Sequence, residues 1–303
     1  MDTKNKILSF GAVVWDIIEG VPYIGGAPFN LAAHLAKCGV SSYMLTRVGQ
    51  DEFGERSLAE IDRLGVHRRY VQIDPEHATP TVLVTLSETG QPSYEIKDNV
   101  SYDHIRADDR LADEIVREEF TAFCFGTIEQ RSPTTRESLR TILQRLKDTR
   151  IFFDVNLRLD HYNREILSES LKYATMLKLN DEEAHVLGDM LLGKSLSQRE
   201  FADRVRVEYD IATVLVTRGE RGCLVVDDGV SVEIPGLSVD VADTVGPGDA
   251  FSAGFLARLC CGESAVEAAE FANRLGAFVA SRRGAIPAYS ADLEQMIKQD
   301  EGH

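Results

Sequence analysis

Apolar positions along the chain fall into two rhythms. Short, largely apolar runs at Ile7–Val13, Tyr43–Val48, Phe120–Phe125, Ile151–Asp154, Met176–Leu179 and Thr213–Thr217 have the length of strands buried on both faces. Between them apolar residues recur every three or four positions. Leu31, Leu35 and Cys38 share one face of a helix over Pro28–Cys38, with Gly39 as its stop. Phe53, Leu58, Ile61 and Leu64 mark another that ends at Gly65. Ser132-Pro133 reads as the N-cap and first position of a third. This alternation predicts an α/β fold: a doubly wound, mostly parallel sheet flanked by helices.

Two stretches break the rhythm. Val13–Ile24 leaves no room for a helix before Gly25-Gly26, and Thr81–Leu86 with Pro92–Ile96 reads as a hairpin turning at Glu88-Thr89-Gly90-Gln91. They predict a small β-sheet from about 13–24 and 79–100, on a large domain of about 1–12, 25–78 and 101–303; two separate surface excursions are the plainer alternative. Leu224–Val226 and Val230–Ile234, joined at Asp228-Gly229, form an ordinary hairpin.

Composition narrows the function classes. The 303 residues are 44% hydrophobic and 27% charged, as in a folded globular protein of one large or two smaller domains. Lys and Arg number 33 against 49 Asp and Glu, a net charge of −16. That field repels nucleic acid and anionic membrane, so neither is expected as a partner. No apolar run approaches the ~18 residues of a membrane span, and Ile7–Phe10 is too short for a signal peptide. Cys38, Cys124, Cys223, Cys260 and Cys261 are scattered and odd in number, which fits reduced thiols in a cytoplasmic protein.

One phosphate-loop pattern is set aside. Gly188–Ser195 spells G-x-x-x-x-G-K-[ST], but that loop works only between a buried strand and the helix it opens. Here Asp181–Leu187 reads as a helix in front of it, so the segment is expected to be a helix end and linker.

Two other glycine-rich turns carry chemistry. Asp243-Thr244-Val245-Gly246-Pro247-Gly248-Asp249 runs into the small, apolar Ala250–Cys261. Such a turn offers free N–H groups and the positive end of a helix dipole to an anion such as a phosphoryl group. Asp249, in the first turn, is placed to take a proton from an attacking hydroxyl, and the dipole there favours its ionised form; an N-cap is the structural alternative. Pro247 removes one donor from the hole. Near the N-terminus, Gly25-Gly26-Ala27-Pro28-Phe29-Asn30 also turns into a helix. Glycines let a ligand approach the backbone, Asn30 can donate and accept to a sugar hydroxyl, and Asp16 upstream can accept from two.

From about Gly11 to Pro287 the chain resembles the PfkB, or ribokinase, family of ATP-dependent sugar kinases. The first family signature is matched by Gly25-Gly26-Ala27-Pro28-Phe29-Asn30-Leu31-Ala32, then Gly39 and Gly49. The second is matched by Asp243-Thr244-Val245-Gly246, Gly248-Asp249 and Ala253-Gly254, with Pro247 in place of the usual small residue. The resemblance implies a ribokinase-like fold whose two β insertions form a lid that closes over the sugar. It implies Asp249 as the base, and the Gly246–Gly248 turn as the site of phosphoryl stabilisation. Asp16, Gly25, Gly26 and Asn30 fall at the sugar. Asn180 and Glu183 match an N-x-x-E motif that supports phosphate and hydrated Mg²⁺. Thr217 and Gly219 match a nucleotide-contacting strand end, and Asn273 a residue beside the adenine. Asp243, Val245, Arg282 and Gly284 match part of a monovalent cation site, implying K⁺, although Ala288 at its last position has no side-chain oxygen. ATP and Mg²⁺ are thus the implied cosubstrate and cofactor, and pairing of lids as a homodimer is the implied assembly.

Phe153-Asp154-Val155-Asn156-Leu157-Arg158 resembles the D-x-N-x-R segment of fructokinases and 2-keto-3-deoxygluconate kinases, with Arg158 near the substrate or the transferring phosphate. Lys178–Glu183 and Val100–Asp103 look most like bacterial fructokinases. Fructose to fructose 6-phosphate is the first expectation, 2-keto-3-deoxygluconate the second and ribose or a nucleoside the third. A catalytically silent sugar-binding regulator is the reading from another class. Loss of the base would mark it, and Asp249 is present.

Overall fold

The computed structural model describes residues 5–86, 92–193 and 195–299. The turn Glu88–Gln91 and Lys194, both invoked above, lie outside the described residues.

The strands are β1 (Lys6–Phe10), β2 (Val14–Ile18), β3 (Val21–Gly25), β4 (Ser41–Gly49), β5 (His67–Asp74), β6 (Thr81–Leu86), β7 (Pro92–Ile96), β8 (Ala122–Phe125), β9 (Arg150–Asp154), β10 (Met176–Asn180), β11 (Thr213–Thr217), β12 (Cys223–Asp227) and β13 (Val230–Ile234). Nine of them form one sheet in the order β13-β12-β11-β10-β9-β8-β1-β4-β5, parallel from β5 through β11 and antiparallel at β12 and β13. The other four form a separate sheet, β3-β2-β6-β7, from the two stretches that broke the rhythm. Helices α1 (Ala27–Lys37), α2 (Glu52–Arg63), α3 (Asp109–Arg117), α4 (Pro133–Leu143), α5 (Arg164–Tyr173), α6 (Asp181–Leu187), α7 (Gln198–Tyr209), α8 (Pro247–Cys260), α9 (Ala265–Ala280) and α10 (Ala291–Gln299) cover the large sheet.

The apolar runs exist because the sheet is covered on both faces. In β8, Phe123 and Phe125 enter one core with Phe10, Phe153 and Leu177, while Ala122 and Cys124 enter the other with Ile7, Phe152, Met176 and Phe255. A strand read by two cores has no polar face.

Three local readings differ from expectation. β1 ends at Phe10 rather than Val13, because Gly11 turns the chain at φ +140° toward the small sheet. β5 is an edge strand, HRRYVQID, whose exposed residues His67, Arg68 and Arg69 are polar with Ile73 the exception, so it carries little apolar signal. Pro133 does open α4, but the Ser132 hydroxyl donates to the Asp103 carbonyl instead of capping the helix. The segment Gly188–Leu192 continues α6 as a π-turn and ends at Gly193 in the left-handed region, as a helix end rather than a phosphate loop.

Strand order reverses beside β1, which has β8 on one side and β4 on the other. In doubly wound sheets the crevice at the carboxyl ends of such strands is where ligands bind.

Candidate active site

Two helices begin at this crevice on a positive-φ glycine, with ψ 123° at Gly26 and −19° at Gly246. α1 has Gly26 at its N-cap with φ 103° and Pro28 in its first turn; α8 has Gly246 at its N-cap with φ 93° and Pro247 at its first position. Both glycines are required by space as well as by φ. A Cβ on Gly26 would lie 2.6 Å from the Ala12 carbonyl oxygen, and one on Gly246 would lie 2.7 Å from Ala285 Cα.

A side-chain bond joins the two starts. Asn30 Nδ2 donates to Asp249 Oδ2 at 2.8 Å, across 219 residues of sequence. Asn30 is buried, and its Oδ1 has no partner among the described residues. Asp249 occupies the third position of α8, not its N-cap. Burial pushes its carboxyl up to about 6, against the Asn30 hydrogen bond, which favours the ionised form; Asp154 raises it further. The helix start was expected to favour ionisation, and burial outweighs it.

Beside Asp249 lies a network that sequence reasoning did not single out. Lys178 Nζ donates to both Asp154 oxygens, at 3.0 and 3.1 Å, and Ser252 Oγ donates to Asp154 Oδ2 at 2.9 Å. Burial works against the Lys178 charge, but Asp154, Glu183 and Asp249 outweigh it and hold the ammonium on. A Cβ on Gly248 would lie 3.3 Å from Lys178 Nζ, so the amine sits directly against the glycine turn. A buried ammonium beside a glycine turn can supply positive charge to an anion bound there. In the sequence Asp154 and Lys178 stand only inside the two segments that resemble fructokinases, with nothing to join them.

Beside the start of α1, Asp16 is half-buried with Oδ2 close to Gly25, where a Cβ would stand 3.2 Å away. Burial raises the Asp16 carboxyl, and the Arg158 charge opposes this. Arg158 is exposed, donates to the Leu157 carbonyl at 3.1 Å, and forms no ion pair among the described residues. Arg158 also opposes the rise at Asp249, so its charge reaches both carboxylates.

The remaining expected residues lie along the same crevice or beyond it. Asn180 and Glu183 form a reciprocal capping box at α6, and Glu183 Oε1 also accepts from the Leu157 N–H at 2.8 Å. Burial raises the Glu183 carboxyl. Thr217 ends β11 next to β10, its Oγ1 donating to Leu179 O at 3.4 Å, and Gly219 opens the following turn at φ 57°. Asn273 is on α9, held by a 2.8 Å bond from its Nδ2 to the Pro235 carbonyl. Asp243 accepts from the N–H groups of Val245 at 3.0 Å and Gly284 at 2.9 Å, which ties the two loops of the expected cation site together. Arg282 instead reaches back to its own loop and lies over the Phe278 ring. A further missed residue, His34, bonds Ala285 O through Nε2 at 2.9 Å and Tyr289 through Nδ1 at 2.6 Å. Burial lowers this imidazole to about 4, so it stays neutral while it holds the loop that packs on Gly246.

A nine-stranded, mostly parallel sheet with a separate small sheet, and two glycine-led helix starts joined by the Asn30–Asp249 bond, define a ribokinase-like kinase architecture. Comparison with known proteins agrees. The pfkB family carbohydrate kinase model matches residues 4–292. The chain is 31% identical to the fructokinase of Escherichia coli, over 93% of this chain and 95% of that one, and 28% identical to fructokinase-2 of Oryza sativa subsp. japonica, over 94% and 90%. The crystal structure of an uncharacterized sugar kinase from Pyrococcus horikoshii superposes with a TM-score of 0.82 at 27% identity, covering 98% of this chain and 99% of that one; its complex with ATP gives 0.82 at 26%, covering 97% and 99%. This chain belongs to the pfkB family of carbohydrate kinases. It is a phosphotransferase that acts on a sugar hydroxyl. No helix among the described residues is long and apolar enough to cross a membrane.

Proposed function

We propose that the protein transfers the γ-phosphoryl group of ATP to fructose, giving fructose 6-phosphate, with Asp249 as the base. The observation that carries this reading is the Asn30–Asp249 bond, which sets the acceptor turn against the start of α8. Asp249 takes the proton of the acceptor hydroxyl as its oxygen bonds to phosphorus and ADP leaves. The N–H groups at Gly246–Gly248 and the Lys178 ammonium stabilise the charge on the transferring group. Asp16, Gly25, Gly26 and Asn30 hold the sugar. Asn180, Thr217, Gly219 and Asn273 line the nucleotide side. The small sheet acts as the lid that excludes water, over the domain bounds given above.

Mg²⁺ fits the donor set: Asn180 and Glu183 at the start of α6 offer oxygen atoms, the ligand type this ion takes together with phosphate oxygens and water. Glu183 would support that shell through water, and the ion would neutralise phosphate charge. K⁺ would sit by Asp243, Val245, Arg282 and Gly284. The cytoplasm is the proposed location. Ile18, Val21, Tyr23 and Leu83, which expose apolar surface on the small sheet, support a homodimer through the lids.

A second reading has one observation in its favour. The Arg158 guanidinium, exposed and without an ion pair among the described residues, suits a carboxylate, as 2-keto-3-deoxygluconate carries. The test is ADP release with Mg-ATP across fructose, 2-keto-3-deoxygluconate, ribose, adenosine and fructose 6-phosphate. Fructose as the fastest acceptor upholds the proposal. The sugar acid as the fastest acceptor replaces it with the second reading. Tight sugar binding without turnover would indicate the silent regulator.

A further inference from the structure

One buried group between the two acceptor-side segments has no task in the chemistry above. Glu129 follows β8 in a single 3-10 turn, Ile128–Arg131, and is 1% exposed. Its Oε1 accepts from the Ala12 N–H at 3.2 Å. Its Oε2 is buried with no hydrogen-bond partner among the described residues. An unanswered carboxyl oxygen inside a protein is costly, and an apolar side chain of similar size would avoid that cost.

The surroundings make room for this carboxyl. Gly11 and Gly126 flank it, and a Cβ on either would stand 2.5 Å from Oε1 or 3.2 Å from Oε2. The adjoining cavity is lined by Ala27, Pro28, Gly126, Asp154 and Asn156, with a volume of about 20 Å³. That admits one water or one hydroxyl. Ala27 and Pro28 belong to the Gly25–Asn30 turn, and Asp154 and Asn156 to the β9 end. The free oxygen therefore stands where the two segments meet. Burial pushes the Glu129 carboxyl up to about 7, with Arg131 on its own turn opposing the rise and Asp103 adding to it. Near neutral pH the group can both donate and accept.

We propose that Glu129 is a specificity-determining residue of the acceptor pocket, its Oε2 hydrogen-bonding a hydroxyl of an uncharged polyol, directly or through the one water the cavity admits. An acceptor that placed a carboxylate there would face Glu129 and Asp154 together. The inference rests on the sugar-kinase reading.

The experiment compares wild type, Glu129→Met and Glu129→Gln on the neutral acceptor that the wild type turns over fastest and on 2-keto-3-deoxygluconate. Melting temperature and the KM for ATP serve as controls of the fold. Glu129→Met should raise the KM for the neutral acceptor about 10-fold, with kcat and the KM for ATP within two-fold. Glu129→Gln, which keeps the hydrogen bond and removes the charge, should restore most of that loss and raise the relative kcat/KM for the acid. An unchanged acceptor KM in Glu129→Met overturns the proposal, as does a uniform fall in every parameter with the melting temperature. A wild type that favours the acid also overturns it. A wild type that favours a neutral sugar other than fructose ends only the fructose assignment. With no turnover at all, acceptor-induced thermal shifts of wild type and Glu129→Met give the same comparison, and no shift in the wild type overturns the proposal.

Discussion

The starts of α1 and α8 share a glycine N-cap and a nearby proline but carry different side chains. Each has a glycine at the N-cap with φ near 100°, a proline in the first turn and a Cβ-sized clash that excludes any larger residue. They pack against each other through the helices they open. α1 has no acidic residue in its first turn, and its polar group is the neutral amide of Asn30. α8 carries Asp249. Similar glycine-led starts thus present a neutral amide at one site and a carboxylate at the other. A helix start is a place for a polar ligand; the side chain in its first turn decides what happens there.

The difference can be broken most sharply at Asp249. Asp249→Asn should lower kcat by about 10³ or more while acceptor binding, read by calorimetry, stays within a few-fold. Equal loss of binding would make Asp249 a structural residue of the crevice. Next come the two glycines. Gly246→Ala and Gly26→Ala meet similar strain, so both should melt earlier than the wild type. Steady-state kinetics should separate them, with kcat falling about 10²-fold in Gly246→Ala and the acceptor KM rising in Gly26→Ala. The same parameter failing in both would erase the division of labour.

The bond between the starts is tested by pH. As the proposed base Asp249 must be ionised, and burial raises its pKa to about 6, so kcat/KM should climb as pH rises through about 6. Asn30→Ala removes a donor that favours the ionised form. The climb should then move to higher pH, and the acceptor KM should rise about 10-fold. A profile that does not move would show that Asn30 serves the sugar alone. The smallest effect is expected from Lys194→Ala, in the pattern set aside as a helix end. The KM for ATP should stay within two-fold, and a larger change would restore that segment as a phosphate site.

The two helix starts were legible because their chemistry is local. Gly25–Asn30 and Gly246–Asp249 each place one positive-φ glycine, a proline and a polar side chain within a few adjacent residues, and backbone sterics make that combination specific. The rejected phosphate-loop pattern was legible for the same reason, since Asp181–Leu187 is a helix in its own right. The buried strands could be read from their apolar runs, while β5 could not, because an edge strand with a wet face does not alternate clearly.

Tertiary structure decided the rest. Nothing near Asn30 in sequence points to Asp249, and nothing near Lys178 points to Asp154 and Ser252; parallel strands and packed helices bring them together. Glu129 and His34 look in sequence like a surface acid and a helix-face base, and only the close fit of Gly11, Gly126 and Ala285 around them shows otherwise. The raised pKa of Asp249 belongs to this class too. A helix start is written in a few residues, whereas the loss of water around a carboxylate is set by everything that packs against it.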